Sequence, residues 1–395
     1  MERCDIVVIG GGVIGVSIAY HLARFGCRRV LLLERGQLGG GTTAQSSCIL
    51  RTHYTVPENV ALAKAAIAIF NDFPAYLEDP EAESGYIRCG FMLVAGEGSR
   101  AAALRETLAM ERGLGLDARE IAVDDARRIH PLVQFGDIAT IGWEPEAGYA
   151  DAHLTLHAFA RAARRLGATL REGVTVTGLT RNASGRVIGV ETSHGAIDAG
   201  LVISAQNIWS QEVAAWTGIV LPLALSRHAV FTLDAPAPYT RELPVLKDLK
   251  SPGKLYMRSY GGRQLLVGDG NDGEGVATPD TEQADVPLDY VAEIGEQVAH
   301  RMPVFASAGL ASSWTGVYDV TPDWNPVLGA LPGIDGLHVA YGFSGHGFKL
   351  SPIVGRIVAQ RALGLVPDFA LEPYSLARFS GGRLLQGRYG TGAVS

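Results

Sequence analysis

Cysteine is scarce in this chain. Only Cys4, Cys27, Cys48 and Cys89 occur, and no two of them form a Cys-x-x-Cys pair. That spacing argues against a zinc ribbon or a disulfide framework and leaves reduced thiols in a cytoplasmic protein as the expectation. Positive charge is short as well: 34 Lys and Arg against 41 Asp and Glu give a formal net charge of −7. A negative balance disfavours nucleic acid or an anionic membrane as partner. No apolar run is long enough to span a bilayer. The stretch 6–19 is too short and carries glycines with another use, so no transmembrane segment is expected. Repeats and low-complexity linkers are lacking too. What the chain has is apolar residues, 47% of 395, which can fill a large core in one large domain or two.

Periodicity organises the rest. Residues 5–9 read as a buried strand, residues 13–25 carry helical apolar spacing that stops at Gly26, and residues 29–34 form a second strand. A glycine-rich loop at 36–43 and an amphipathic helix at 58–77 follow. From 86 to about 149 the pattern is strand-like and irregular. A helix at 151–166 opens on an Asp151 cap. Strands are expected at 169–180, 186–192 and 196–205, with a turn at 182–185 joining the first two. Residues 222–233 and 254–269 suit a second sheet, 286–301 a helix, and 336–363 a strand, glycine turn and helix. This order predicts an α/β fold. A discontinuous Rossmann-like domain is drawn from 1–85, 150–220 and 312–375. An inserted α+β domain on an antiparallel sheet is drawn from 86–149 and 221–311. Residues 376–395 are left as a C-terminal tail.

The most specific motif is Gly10-x-Gly12-x-x-Gly15. The first glycine permits a tight turn, the second lets backbone approach a pyrophosphate, and the third lets helix pack on strand. Val13 and Ile14 open the helix, whose free N–H groups and dipole favour phosphate. Glu34, at the end of the second strand, stands where an acid binds ribose hydroxyls, with Arg35 next to it. A glycine turn that merely packs is the competing reading; the strand before, the helix after and the acid beyond favour dinucleotide binding. The motif alone does not separate nicotinamide from flavin nucleotides. A second strand–turn–helix junction does so in part: Tyr341-Gly-Phe-Ser-Gly-His-Gly-Phe-Lys349. There Gly345, His346, Gly347, Phe348 and Lys349 precede or open a helix, a geometry that stabilises the anionic edge of a reduced flavin.

In the stretches 5–35, 40–54, 316–329 and 342–355 the chain resembles the D-amino-acid-oxidase family of flavoproteins, and within it the sarcosine oxidase (beta subunit) and dimethylglycine dehydrogenase branch. The resemblance implies FAD and a two-domain α/β fold. It implies oxidation of a C–N bond beside a carboxylate, with hydride passing to flavin N5 and the imine hydrolysing. By the same likeness, Gly41, Thr42, Thr43, Ser46, Ser47, Val174, Ala205, Trp209 and Gly316 contact the cofactor, and Asn207 replaces a glycine in a turn it can tolerate. Arg51 and Lys349 match the residues that hold substrate carboxylate, one bidentate and one a point charge.

Departures from the family pattern sharpen the expectation. Gln45 and Gly316 stand where relatives carry a linking His or Cys, so the FAD is expected to be non-covalent. Tyr318 replaces a carboxylate-binding Arg of D-amino-acid and glycine oxidases, which points to N-alkylated or cyclic secondary amino acids. Leu266 stands where monomeric sarcosine oxidases use a Lys to activate oxygen, so the electron acceptor is oxygen or another redox protein. Tyr256 and Arg258 share one side of a strand and are expected to face the flavin. His346 is expected to shape the flavin pocket, with His53 a lesser candidate. The other histidines do not cluster, so no metal is assigned. Alternatives are a D-amino acid or glycine oxidase, a 2-hydroxy-acid dehydrogenase, a nicotinamide-only enzyme, and the flavoprotein subunit of a hetero-oligomeric dehydrogenase.

Overall fold

The first strand, Glu2–Ile9, is apolar from Ile6 onward and buries its last residues on both faces, as a central parallel strand must. It pairs in parallel with Val30–Leu33 on one side and Ile197–Ser204 on the other. Thr169–Arg171 and Leu337–Tyr341 extend the parallel set outward, and Val327–Ala330 adds an antiparallel edge. These elements belong to a computed structural model that describes residues 2–235, 242–271, 273–279 and 285–389.

Helix Val13–Arg24 crosses from the first strand to the second. It packs against Gly347–Ala362 and Ala152–Arg165 on one face of the sheet. A core of Ile6, Val8, Ile18, Leu22, Phe159 and Val354 fills that layer. The opposite face is covered by an antiparallel meander, Val176–Arg181 and Val187–Thr192, which hangs from Ile197–Ser204.

Among the described residues the second sheet has nine strands, antiparallel except where Phe91–Ala95 meets Val245–Asp248. Its long spine is Ala224–Asp234 paired with Leu310–Val320. Tyr256–Tyr260 and Gln264–Gly268 form the adjoining hairpin. Phe231, Leu246, Met257, Leu265 and Val267 pack beneath helix Leu288–Arg301. Alternation therefore turns Tyr256 and Arg258 to the other face, toward the first sheet.

Several expected elements differ. The helix expected at 58–77 is two, Pro57–Asn71 and Phe73–Leu77, because Pro74 enforces a new start after Asp72. The strand expected at 169–180 breaks around Gly173, which has φ +72°. The irregular region 86–149 hides a helix, Ser99–Gly113. Strand Leu310–Val320 lies in the second sheet, so the expected boundary at 312 falls inside an element. The stretch 376–395 is no free tail as far as residue 389. Arg378 forms a buried ion pair with Asp323 at 2.7 Å, and Tyr389 reaches His53. Residues 390–395 lie outside the described residues.

Candidate active site

The glycine motif is built for a ligand. Gly10 has φ +105°, and a Cβ on Gly15 would come 2.0 Å from the Gly10 carbonyl oxygen, so neither position accepts a side chain without backbone movement. Gly12 serves as N-cap without a side-chain cap, and the first helical turn holds no acid. One N–H there, that of Val13, donates to Thr43 Oγ1 at 3.1 Å. The remaining turn, with Gly12, Val13, Ile14 and Thr42, borders an open cavity. An uncapped N-terminus of this kind attracts phosphate.

A branch of the cavity runs toward Glu34 and Arg35. Glu34 accepts the N–H of Gly11 at 2.6 Å and of Gly36 at 2.8 Å, which fixes the carboxylate at the mouth. Arg35 lies over the Trp209 ring at 4.4 Å and pairs with Glu212. Gly41 leaves room for Trp209, since a Cβ there would lie 3.2 Å from the ring. Thr42 Oγ1 donates to Asn207 Oδ1 at 3.1 Å, and Asn207 has φ +52°, the left-handed turn expected of it. Ala205 borders both branches. Val174 borders this one, but its N–H already donates to the Glu34 carbonyl at 2.9 Å. The buried Val176, which the sequence reading passed over, lines the same wall. Its signal was the outward Thr175 between two inward valines.

The other branch passes Thr43, Gln45, Ser46 and Ser47 to reach Gly316, Tyr318, Gly345, Gly347 and Phe348. Gln45 and Gly316 face each other: a Cβ on Gly316 would lie 3.3 Å from the Gln45 Cβ. Tyr318 stacks on His228 at 4.0 Å and lies on Gly345, where a Cβ would strike its ring. Asp319, not anticipated from sequence, holds the turn. Its carboxylate accepts the N–H of Gly342 at 2.5 Å and of Phe343 at 3.1 Å. Burial nevertheless pushes Asp319 up to about 7. Helix Gly347–Ala362 then starts without an acid in its first turn.

Beyond Tyr256 and Tyr318 lies a smaller cavity that holds Arg51, Lys349, His346, Lys247 and Asp269. Arg51 follows the short strand Ile49–Leu50, and Lys349 sits in the first turn of Gly347–Ala362. Tyr54 takes the Arg51 guanidinium over its ring at 4.4 Å and the Lys349 ammonium at 6.0 Å. Burial first, then the charge of Arg51, holds Lys349 well below its ordinary value. His346 packs edge-on to Tyr54. The Tyr256 hydroxyl contacts Ser47 and Tyr318 and is pushed well up by burial. Lys247 escaped the sequence reading because it sits within an apolar strand run and reaches the cavity only through that strand's pairing with Tyr256–Tyr260.

Arg258 does not join them. Its Nε donates to the Ser47 carbonyl at 2.7 Å, its guanidinium lies over Tyr149, and it clamps the loop from behind instead of lining the cavity. His53 is likewise behind Arg51. Its Nδ1 lies 3.0 Å from Glu111 and 3.7 Å from Glu144, all three fully buried. Burial pushes Glu111 up to about 8. Burial, helped by the Glu111 charge, pushes Glu144 up to about 7, and burial holds His53 down at about 4. The three donor atoms lie within 4.8 Å of one another, a grouping invisible in a sequence that spreads them over three elements.

Two uncapped helix starts, bare glycines between them and an acid at the far end of an elongated cavity describe a site for a two-lobed dinucleotide. Residues 5–361 match the family of FAD-dependent oxidoreductases abbreviated DAO, and the chain belongs to that family. Its cofactor is accordingly FAD. Two curated relatives are 4-methylaminobutanoate oxidase (formaldehyde-forming) of Paenarthrobacter nicotinovorans, 30% identical over 95% of this chain, and sarcosine oxidase subunit beta of Arthrobacter sp, 27% identical over 99%. The match covers 45% of the first relative's length and 94% of the second's. Among solved structures, L-proline dehydrogenase from P. horikoshii superposes with a TM-score of 0.88 at 26% identity, over 97% of this chain and 99% of that one. No helix of the described residues is long and apolar enough to cross a membrane.

Proposed function

We propose that this chain oxidises the C–N bond of a secondary or N-alkylated amino acid, sarcosine-like or cyclic, to an imine that water hydrolyses. The observation that carries this reading is the convergence of Arg51 and Lys349 on one small cavity beside the Gly345 turn. Lys349 makes no hydrogen bond or ion pair with a described residue, and a buried ammonium without a partner calls for an anion. The compounds named for the three relatives, 4-methylaminobutanoate, sarcosine and L-proline, are all secondary amines.

FAD, bound along the glycine cradle, would accept the two electrons as a hydride equivalent at N5. Gly10, Gly12, Val13, Ile14, Gly15, Thr42 and Thr43 would hold its pyrophosphate, Glu34 its ribose, and Arg35, Val174 and Trp209 the adenosine end. Gly345, His346, Gly347 and Phe348 would hold the flavin end. Arg51 would grip the substrate carboxylate through two parallel N–H donors, and Lys349 would add a point charge. The surrounding positive field favours the neutral amine, whose lone pair must be free before hydride leaves. Tyr256 would orient that amine from the sheet. Arg258 acts indirectly, by fixing Ser47.

The domain division runs with the two sheets. One unit holds the parallel sheet and FAD, and the other holds the antiparallel sheet and the wall over the substrate. The FAD is non-covalent, because Gln45 and Gly316 offer no nucleophile, and acid precipitation should leave the yellow colour in the supernatant. The acceptor is oxygen or another redox protein, and a hetero-oligomer in the cytoplasm fits the subunit relative. Anaerobic flavin bleaching by a panel of N-methyl, cyclic, D- and 2-hydroxy acids tests the reaction. Bleaching by a 2-hydroxy acid and by no amine would overturn it.

A further inference from the structure

The substrate cavity holds more positive charge than one carboxylate requires. Arg51, Lys349 and Lys247 all border it, each at most 8% exposed, and Asp269 is the one acid among its lining residues. Lys247 donates one hydrogen bond, to the Lys254 carbonyl at 2.6 Å, and its ammonium stands 5.5 Å from the Tyr256 ring. It forms no ion pair with a described residue. Gly270 makes room for it, since a Cβ there would lie 2.5 Å from the Lys247 Nζ. Asp269 is engaged by the Tyr290 hydroxyl at 2.7 Å. A buried ammonium satisfied by one neutral carbonyl is costly unless a ligand completes it.

The cofactor is not that ligand. Tyr256 and Tyr318 border both the flavin-side cavity and the substrate cavity, whereas Lys247, Arg51 and Lys349 border the substrate cavity alone. Two of the three cations are answered by one substrate carboxylate. The third stands across the cavity on a different sheet strand, Val245–Asp248, paired beside Tyr256. We propose that the substrate is an amino dicarboxylate, an N-carboxyalkyl amino acid whose second carboxylate docks on Lys247. This rests on the C–N oxidation proposed above and names its substrate class. For the simplest member, one methylene C–H bond breaks and its hydrogen and electron pair reduce FAD. The amine N–H proton leaves, and water adds across the C=N bond. Iminodiacetate, FAD and water thus give glycine, glyoxylate and reduced FAD.

Sarcosine and iminodiacetate form a matched pair, identical except that a carboxylate replaces a methyl hydrogen. Anaerobic titration of the holoenzyme, read by loss of flavin absorbance, gives an apparent Kd for each. The expected result is tighter binding of iminodiacetate by roughly tenfold or more, the worth of one charge-assisted hydrogen bond. Lys247→Met should erase most of that advantage and leave sarcosine within about threefold, and Lys247→Arg should restore it in part. Lys247→Gln, which can still reach the Lys254 carbonyl, should behave like Lys247→Met and so separates lost charge from lost packing. Equal or weaker binding of iminodiacetate by the wild type overturns the proposal, and so do equal losses for both amines in the variants. Bleaching by sarcosine without preference for the diacid sinks only the substrate class. Bleaching by no amine at all sinks the reaction beneath it.

Discussion

Lys349 illustrates how a functional residue works against the fold that carries it. Its ammonium is buried, repelled by Arg51 and given no hydrogen bond by a described residue. Lys349→Met should therefore raise the melting temperature of the holoenzyme while lowering kcat/KM by about 30- to 1000-fold, the range for losing a charged hydrogen bond of about 2–4 kcal/mol. Calorimetry and steady-state kinetics on the same preparation check both signs. Glu111 gives a second prediction at this scale. Burial raises it from its ordinary 4.5 to about 8, so the folded chain keeps a proton that the unfolded chain has released between those values. Its contribution to stability is full below about 4.5 and is lost as pH rises through about 8. Gln cannot ionise, so the stability of Glu111→Gln relative to wild type should increase from about pH 5.5 to about pH 8.5. Melting curves at both values measure it, and a constant difference would contradict the assignment.

At the scale of elements, what could be read from sequence was what repeats locally. The strand–glycine–helix start was legible because Gly10, Gly12 and Gly15 sit at fixed offsets and Glu34 closes the unit. Leu337–Tyr341 was read to the residue, because Gly336 and Gly342 flank an apolar run. Helix Ser99–Gly113 was missed because its inner face is made of Ala101, Leu104, Thr107, Leu108 and Glu111, too polar to stand out from a charged surface. Lys247, Asp319 and the His53 cluster were illegible for another reason: partners far apart in the chain give each of them its meaning. The glycine cradle supports a prediction of its own. Gly15→Ala would drive a methyl group 2.0 Å from the Gly10 carbonyl oxygen, so helix and strand must separate where phosphate binds. The purified variant should hold little FAD, seen as a fall in the ratio of visible flavin absorbance to protein absorbance.

For the whole molecule, a cofactor held without a covalent tether is linked to stability by mass action. Adding FAD to apoprotein at about 100 times its Kd should stabilise the fold by about 2.7 kcal/mol, visible as a concentration-dependent shift in melting temperature. A melting temperature indifferent to added FAD would mean that the cradle does not bind it in the folded state. The two sheets each supply half of the site: the parallel sheet brings Arg51 and the Lys349 helix, and the antiparallel sheet brings Tyr256 and Lys247.

The pairing of Leu310–Val320 with Ala224–Asp234 has a mechanical consequence. That strand carries Gly316 and Tyr318 along the cavity and ends at Asp319, which grips the turn of the other sheet through Gly342 and Phe343. It is a rib shared by two bodies, with no break at which they could hinge. The jaws of the site are therefore fixed in width. Substrate must fit an opening already set, and selection falls to shape and charge at the wall instead of to closure around the guest.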